Sequence, residues 1–221
     1  MLKVLSPRAT RVGIQAIELF PLLLIKYHWD QSELLNENLT NLIHVKEADD
    51  PGISTTNVGG WHSKKNLHLW QGECIQTLVK RIRWLSAVMA NDVLRTSYKV
   101  LPPDWQLEAW ANVSRAGDSN KFHTHLRHQN LWSGIYYVQA NTGKGAGRTV
   151  FEDQFRPMIE SSKVSRTAFY VVPTPGLMLL FPSSLGHRVE QHFGDKPRIT
   201  IAFNLKHPDY STLNYESEKK G

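Results

Sequence analysis

The chain has 221 residues, enough for one sizeable hydrophobic core, and its 41% hydrophobic and 21% charged residues are typical of a soluble globular protein. The net charge of +6 comes from scattered basic residues, so we expect no nucleic-acid partner. The apolar run at 19–25 is too short to span a membrane, and a single Cys74 excludes an internal disulfide. We therefore expect a cytoplasmic protein with Cys74 as a buried, reduced thiol.

Residues 1–100 show helical or mixed patterns. A buried strand is predicted near 17–26, and Asp30 or Ser32 is placed to cap a helix through 31–43. Residues 47–63 are rich in turn signals and predict a loop.

The sequence predicts a long helix capped by Ser63, because apolar residues recur every three or four positions from Leu67 to Met89. The basic cluster Lys80, Arg81 and Arg83 on this helix is interpreted as a solvated face.

Past Pro102 the pattern changes to short segments that are rich in β-branched and aromatic residues and separated by turns. The predicted strands are 107–115, 131–139, 148–152, 168–172, 177–181, 187–192 and 198–205. Such strands without intervening helices indicate a sandwich or a jelly roll. We predict a single domain, 1–221, in which the helical layer of 1–100 packs on one sheet of a jelly-roll core at 105–206.

The stretch FHTHLRHQNLWSGIYYV at 122–138 carries three histidines. If its start is extended, His123 and His125 point to one face, because side chains alternate along a strand. Two imidazoles on one face can hold a metal ion, whereas His128 is out of phase and is left out. A pair of histidines is weak evidence on its own, so a third ligand has to come from elsewhere in the chain.

His187 is the candidate third ligand, because it opens a strand directly after a turn. Arg198 begins the next predicted strand, which we expect to form a hairpin with that of His187. Arg198 and Thr200 share the inward face, and an inward guanidinium is costly unless an anion meets it. A ligand carboxylate would suit its planar fork, although a structural pair with Asp153 or Glu190 is the alternative.

The order of these motifs resembles a known superfamily. HxH, SGIYYV, GRTVFED and PGLMLLFPSSLGHRVEQHFGDKPRITIAFN are similar to the non-haem iron, 2-oxoglutarate (2OG)-dependent oxygenases, and most similar to the putative 2OG–Fe(II) oxygenase family with HxH in place of HxD. The resemblance covers about residues 105–206. It implies a double-stranded β-helix of cupin-like jelly-roll type, with Fe(II), 2OG and dioxygen as cofactor and co-substrates.

The resemblance also implies roles for individual residues. His123 and His187 match the ligand histidines, and His125 falls where the superfamily usually has a carboxylate. Arg198 matches the residue that binds the far carboxylate of 2OG. Thr200, Tyr137 and Asn112 are the further candidates for the co-substrate pocket.

The implied reaction is a hydroxylation that releases succinate and CO2, with an unidentified small-molecule, peptide or protein substrate. Two alternatives stay open: a cupin-like three-histidine metalloenzyme that does not use 2OG, and a catalytically silent binding module. His125 leaves the site one negative charge short of the usual triad of two histidines and a carboxylate, so the sequence alone does not fix the metal.

Four large side chains are candidates for a substrate cleft. Trp61, His62, Trp110 and Trp132 could line a substrate cleft, but core packing is the favoured interpretation because tryptophans are large core residues. A homodimer is the default expectation for the assembly.

Overall fold

The computed structural model describes residues 22–94, 96–126, 130–141, 143–160 and 163–208. Two α-helices precede most of the strands: α1 spans Glu33–Asp49 and α2 spans Glu73–Leu94. The strands are β1 Ile25–His28, β2 Asn57–Val58, β3 Trp61–His62, β4 Gln106–Ser114, β5 Ser119–His123, β6 Trp132–Gln139, β7 Thr149–Glu160, β8 Lys163–Val171, β9 Leu177–Pro182, β10 His187–Val189 and β11 Arg198–Lys206.

The strands form two antiparallel sheets. One sheet has the order β1-β9-β6-β11-β4-β3, and the other has the order β2-β5-β10-β7-β8. Strands that follow each other in sequence often lie in different sheets, as β9 and β10 do and as β10 and β11 do. This alternation is the winding of a jelly roll and confirms the predicted fold class.

Both helices cover the outer face of the six-stranded sheet. Alternate residues of β11 supply that face, and Ile199, Ile201 and Phe203 are buried in the same core as Leu39 of α1 and Leu78 of α2. The other residues of β11 are left facing the second sheet, because side chains alternate along a strand. The helical layer therefore fixes which side of β4 and β11 faces the space between the sheets.

Three predicted elements differ in the structure. The strand predicted near 17–26 falls partly outside the described residues, and the strand observed there begins at Ile25. The long helix begins at Glu73, because Ser63 pairs along β4 and a 3-10 turn at Leu67–Leu69 intervenes. Ser32 precedes α1 as predicted, but its hydroxyl donates to the carbonyl of Trp29 and accepts no hydrogen bond from a backbone N–H of the helix.

The hairpin predicted between His187 and Arg198 is wrong. His187 lies in β10, which pairs with β5 and β7, whereas Arg198 lies in β11, which pairs with β4 and β6. The connection between them is held by His192, whose N–H donates to the carbonyl of Asp118. The chain therefore crosses from one sheet to the other, and the two residues end on facing walls.

The basic cluster on α2 is only in part a solvated face, because Lys80 is exposed but Arg81 and Arg83 are half-buried. Arg81 lies over the ring of Trp29, at 4.7 Å from its centroid, and Arg83 donates to the carbonyl oxygens of Pro102 and Trp105. Both guanidinium groups therefore tie α2 to neighbouring segments. Cys74 is half-buried on the same helix. Within the described part of the chain, neither helix is long and apolar enough to cross a membrane.

We predict that Tyr136→Phe destabilises the fold by about 1–2 kcal/mol, the usual cost of a buried hydrogen bond whose partner is left unsatisfied. The hydroxyl of buried Tyr136 in β6 donates to Oδ1 of Asn36 in α1 at 2.7 Å. Tyr27→Phe is the matched control, because Tyr27 is 39% exposed. Chemical denaturation measures both, and equal stabilities for the two variants would contradict a role for this bond in docking α1.

Candidate metal centre

A cavity of about 340 Å³ lies between the two sheets. The six-stranded sheet contributes side chains of β4 and β11, and the five-stranded sheet contributes side chains of β5 and β10. The cavity wall includes the polar and aromatic residues His62, Lys65, Trp110, Asn112, His123, His125, His187, Arg198 and Thr200.

Three of these histidines come together. His187 is the first residue of β10 and lies opposite His123, the last residue of β5. His125 lies two residues beyond the end of β5, and its backbone N–H donates to the carbonyl of Ser183. One ring nitrogen from each of the three lies within 4.8 Å of the others. The ring centroids are 4.4 Å apart for His123 and His187, 4.9 Å for His123 and His125, and 5.2 Å for His125 and His187.

Backbone carbonyls set the tautomers of two of the rings. Nδ1 of His123 lies 2.7 Å from the carbonyl oxygen of Lys121, and Nδ1 of His187 lies 3.0 Å from that of Leu185. A carbonyl oxygen can only accept, so both Nδ1 atoms carry the proton. The lone pair is then on Nε2, the arrangement by which metal-binding imidazoles are usually oriented.

The rings are also kept neutral. Burial lowers the pKa of His187 to about 3, with the nearby His123 adding to the effect. Burial lowers the pKa of His125 to about 2, with further contributions from His187, His123 and Lys65. Burial likewise lowers the pKa of His123. Metal ions need the unprotonated ring, so this environment favours ligation at neutral pH.

The donor set fits a divalent transition metal. Imidazole nitrogen suits Fe, Zn, Cu and Ni, and three such donors leave coordination positions for further ligands. His192 is buried outside this cluster, and its Nε2 lies 2.8 Å from the carbonyl oxygen of Lys196. His128 lies outside the described residues.

Arg198 is the second unusual feature of the cavity. Arg198 is 2% exposed. Within the described residues its Nε has no hydrogen-bond partner, and its Nη2 lies 3.4 Å from Oγ1 of Thr149. Its guanidinium carbon lies 5.3 Å from the ring centroid of Tyr137. Within the described ranges no carboxylate forms an ion pair with it, and Glu190, one predicted structural partner, pairs with Arg148 at 2.6 Å.

An unpaired buried guanidinium is expensive, and burial lowers the pKa of Arg198. Its unmet donors point to a ligand anion. A carboxylate accepts two parallel hydrogen bonds from the guanidinium fork, which makes it a fitting partner.

The remaining predicted pocket residues surround Arg198. Thr200 lies opposite Asn112 in the register of β11 and β4, and both line the cavity. Tyr137 lies opposite Thr200 on the other side, in β6, but is fully buried. Its hydroxyl is 2.7 Å from Oγ1 of Thr149, and burial raises the pKa of the phenol. Tyr137 therefore packs its ring against the guanidinium of Arg198.

The large aromatic residues divide between core and cavity. Trp61 and Trp132 are in the core, as the favoured interpretation predicted, but His62 and Trp110 stack with centroids 5.7 Å apart on the cavity wall. Lys65 is a wall residue that sequence reasoning missed. It belongs to no spacing motif, and only the pairing of its loop with β4 places it there.

One family model matches the jelly-roll core of the chain. Residues 108–204 match the model of the family described as "Putative 2OG-Fe(II) oxygenase". This range contains all seven site residues that were predicted from the sequence. No curated protein matches the chain.

Solved structures share the fold at low sequence identity. A prolyl-4-hydroxylase of Pseudomonas putida has a TM-score of 0.61 and 13% identity, over 83% of this chain and 92% of that one. A Trichoplax adhaerens prolyl hydroxylase, in complex with a hypoxia inducible factor peptide fragment, has a TM-score of 0.55 and 12% identity, over 87% of each chain. The 2OG-dependent carbocyclase SnoK from nogalamycin biosynthesis has a TM-score of 0.59 and 10% identity, over 87% and 86%.

We predict that His187→Ala lowers metal affinity at least about 100-fold. Loss of a residue that only hydrogen-bonds a metal ligand typically lowers the affinity about 10- to 100-fold, and loss of the ligand itself has a larger effect. Titration with Mn(II), followed by electron paramagnetic resonance of the free ion, measures the affinity. His28→Ala is the control, since the His28 side chain is 50% exposed and bonds the carbonyl of Pro175. Equal affinities for the two variants would remove His187 from the ligand set.

Proposed function

The core of this chain, residues 108–204, belongs to the 2OG-Fe(II) oxygenase family, and from that premise we propose that the protein hydroxylates a substrate inside the cavity between its sheets. His123, His125 and His187 are proposed to hold the Fe(II). Arg198 is proposed to bind the far carboxylate of 2OG, with Thr200 and Asn112 beside it and Tyr137 beneath it.

The observation that carries the proposal is the presence of two complementary features in one cavity. Three neutral imidazoles offer ligands for a cation, and the buried guanidinium of Arg198 lacks an anion. 2OG meets both needs, since it has a carboxylate and a keto group at one end for the metal and a second carboxylate at the other for Arg198. A metal ion alone would not compensate the buried positive charge of Arg198.

The protein's part is to bind, orient and shelter the reactants. The Nδ1–H bonds of His123 and His187 to backbone carbonyls fix the ring planes, so the geometry of the ligands is set before the metal arrives. The apolar side chains of Ile135 and Phe181 complete the cavity wall and limit the access of water.

The bound iron and 2OG supply the oxidising chemistry: one dioxygen and one 2OG are consumed, succinate and CO2 are released, and one oxygen atom goes to the substrate. Hydroxylation is the proposed outcome because two of the structural neighbours are prolyl hydroxylases. SnoK, with the same fold, is a carbocyclase, so the cavity of this chain and its substrate determine the outcome. A peptide substrate is included because the Trichoplax adhaerens enzyme binds a peptide fragment.

The test of the proposed function is succinate formation. Purified protein with Fe(II), 2OG and air is expected to release succinate slowly without a substrate and faster with members of a panel of peptides, amino acids and small metabolites. The His187→Ala variant is the blank. Metal binding without any succinate, in the presence or absence of the panel, would favour a three-histidine metalloenzyme that does not use 2OG. Binding of neither metal nor 2OG would favour a silent module.

We predict that Arg198→Met weakens 2OG binding about 100-fold or more, the range found when one partner of a buried charge pair is removed. The 2OG-free variant is expected to be at least as stable as the parent, because an apolar side chain removes an uncompensated buried charge. Thermal shifts with Mn(II) and increasing 2OG measure both quantities.

Arg188→Met is the matched control for this prediction. Arg188 lies in β10 and pairs with Glu152 at 2.7 Å. It is expected to leave 2OG affinity unchanged. Loss of metal and 2OG together in Arg198→Met, or equal 2OG affinities in the two variants, would contradict the role of Arg198.

A further inference from the structure

Lys65 lies on the cavity wall outside the region that matches the family model. Its loop is fixed along the edge of β4: the N–H of Ser63 donates to the carbonyl of Ala111, the Ser63 hydroxyl accepts from the N–H of Ala111, and Asn66 bridges Ala109. The loop thus runs beside β4 at the level of Trp110. The Lys65 ammonium lies over the Trp110 ring, 5.2 Å from its centroid.

The charge of Lys65 has no acidic partner within the part of the chain that the structure describes. The neighbouring Lys64 shows the contrast, because its ammonium pairs with Asp50 at 2.9 Å and lies off the cavity wall. Lys65 is half-buried, and its contact with Trp110 is the interaction that holds its ammonium at the cavity.

Lys65 and Arg198 lie toward opposite ends of the cavity. In the register of β4 and β11, Arg198 is opposite Ser114, whereas Trp110 is opposite Ala202. From Arg198 to Ala202 the strand advances about 13 Å, at about 3.3 Å per residue. His125 lies near the Trp110 end, with ring centroids 5.8 Å apart. A 2OG molecule between the histidines and Arg198 would therefore leave the Lys65 end open for the substrate.

The charge balance of the loaded site favours an anion at that end. The described residues on the cavity wall include no aspartate or glutamate. Fe(II) and Arg198 together carry one positive charge more than the two negative charges of 2OG, and Lys65 adds another. A carboxylate ligand in place of His125 would remove part of this excess, but an imidazole does not.

We propose that Lys65 binds an anionic group, a carboxylate or a phosphate, on the prime substrate. This inference rests on the proposed function and deepens it: the substrate class is acidic, and Lys65 selects it. The group that is oxidised then lies between the Lys65 contact and the three histidines.

The test uses small anions that report their distance from a paramagnetic metal. Protein is loaded with Mn(II) and saturating 2OG, and the relaxation of methyl protons is measured for butyrate, methyl phosphate and the neutral butyramide. We expect the loaded protein to relax butyrate, methyl phosphate or both, and butyramide far less. Lys65→Met should reduce the effect at least about fivefold, the scale of one partly buried ion pair.

Lys64→Met is the matched control and is expected to behave as the parent. Both variants should bind 2OG with unchanged affinity, because Met retains the aliphatic stem and Lys65 does not contact the co-substrate. Relaxation of butyrate alone identifies a carboxylate as the substrate's anion, and relaxation of methyl phosphate alone identifies a phosphate.

Three results would overturn the inference: equal relaxation by the Lys65→Met and Lys64→Met proteins, relaxation of butyramide as strong as that of the anions, or a loss of 2OG affinity in Lys65→Met. The loading step separates this failure from failure of the proposed function. If the parent protein does not bind 2OG in the presence of Mn(II), the proposed function and this inference are both wrong. If the parent protein binds 2OG normally, any of these three results overturns the assignment of Lys65 to the substrate alone.

Discussion

The buried guanidinium of Arg198, which has no counter-charge among the described residues, is the constraint on which the rest of the site depends. A protein interior tolerates such a charge only if a ligand or a hydrogen-bonding network compensates it. Thr149 and Tyr137 supply weak support and leave the fork directed at a cavity. The fold therefore carries a cost in the absence of ligand that 2OG is suited to offset, and this links stability to function at one side chain.

Topology places the metal ligands on the wall opposite this charge. His187 and Arg198 are close in sequence, but the chain between them crosses from one sheet to the other. His123 pairs directly with His187 across β5 and β10, and His125 follows where the chain leaves the sheet. The helical layer on the outer face of β11 forces its polar residues inward. A ligand that binds the metal at one end and the Arg198 guanidinium at the other would therefore bridge the two sheets.

The alternation of side chains made much of this predictable from sequence. The period of two in RITIAFN separated the core residues Ile199 and Ile201 from the cavity residues Arg198 and Thr200. The rings of His123 and His125 also lie close together, but β5 ends at His123, so strand alternation is not what places His125 there. Periodicity does not say which sheet a strand joins, so the hairpin of His187 and Arg198 was predicted wrongly. It also gives no information on loops, and Lys65 reaches the cavity through backbone pairing between distant segments.

Metal and 2OG are proposed to occupy one continuous site between the three histidines and Arg198. Calorimetric titration of 2OG into metal-loaded and metal-free protein, without oxygen, measures whether the two ligands are coupled. We expect one 2OG per chain, bound at least about tenfold more weakly when the metal is absent, since coupled sites typically differ by 5–150-fold. Equal affinities with and without metal would contradict it, because they would place the co-substrate away from the histidines.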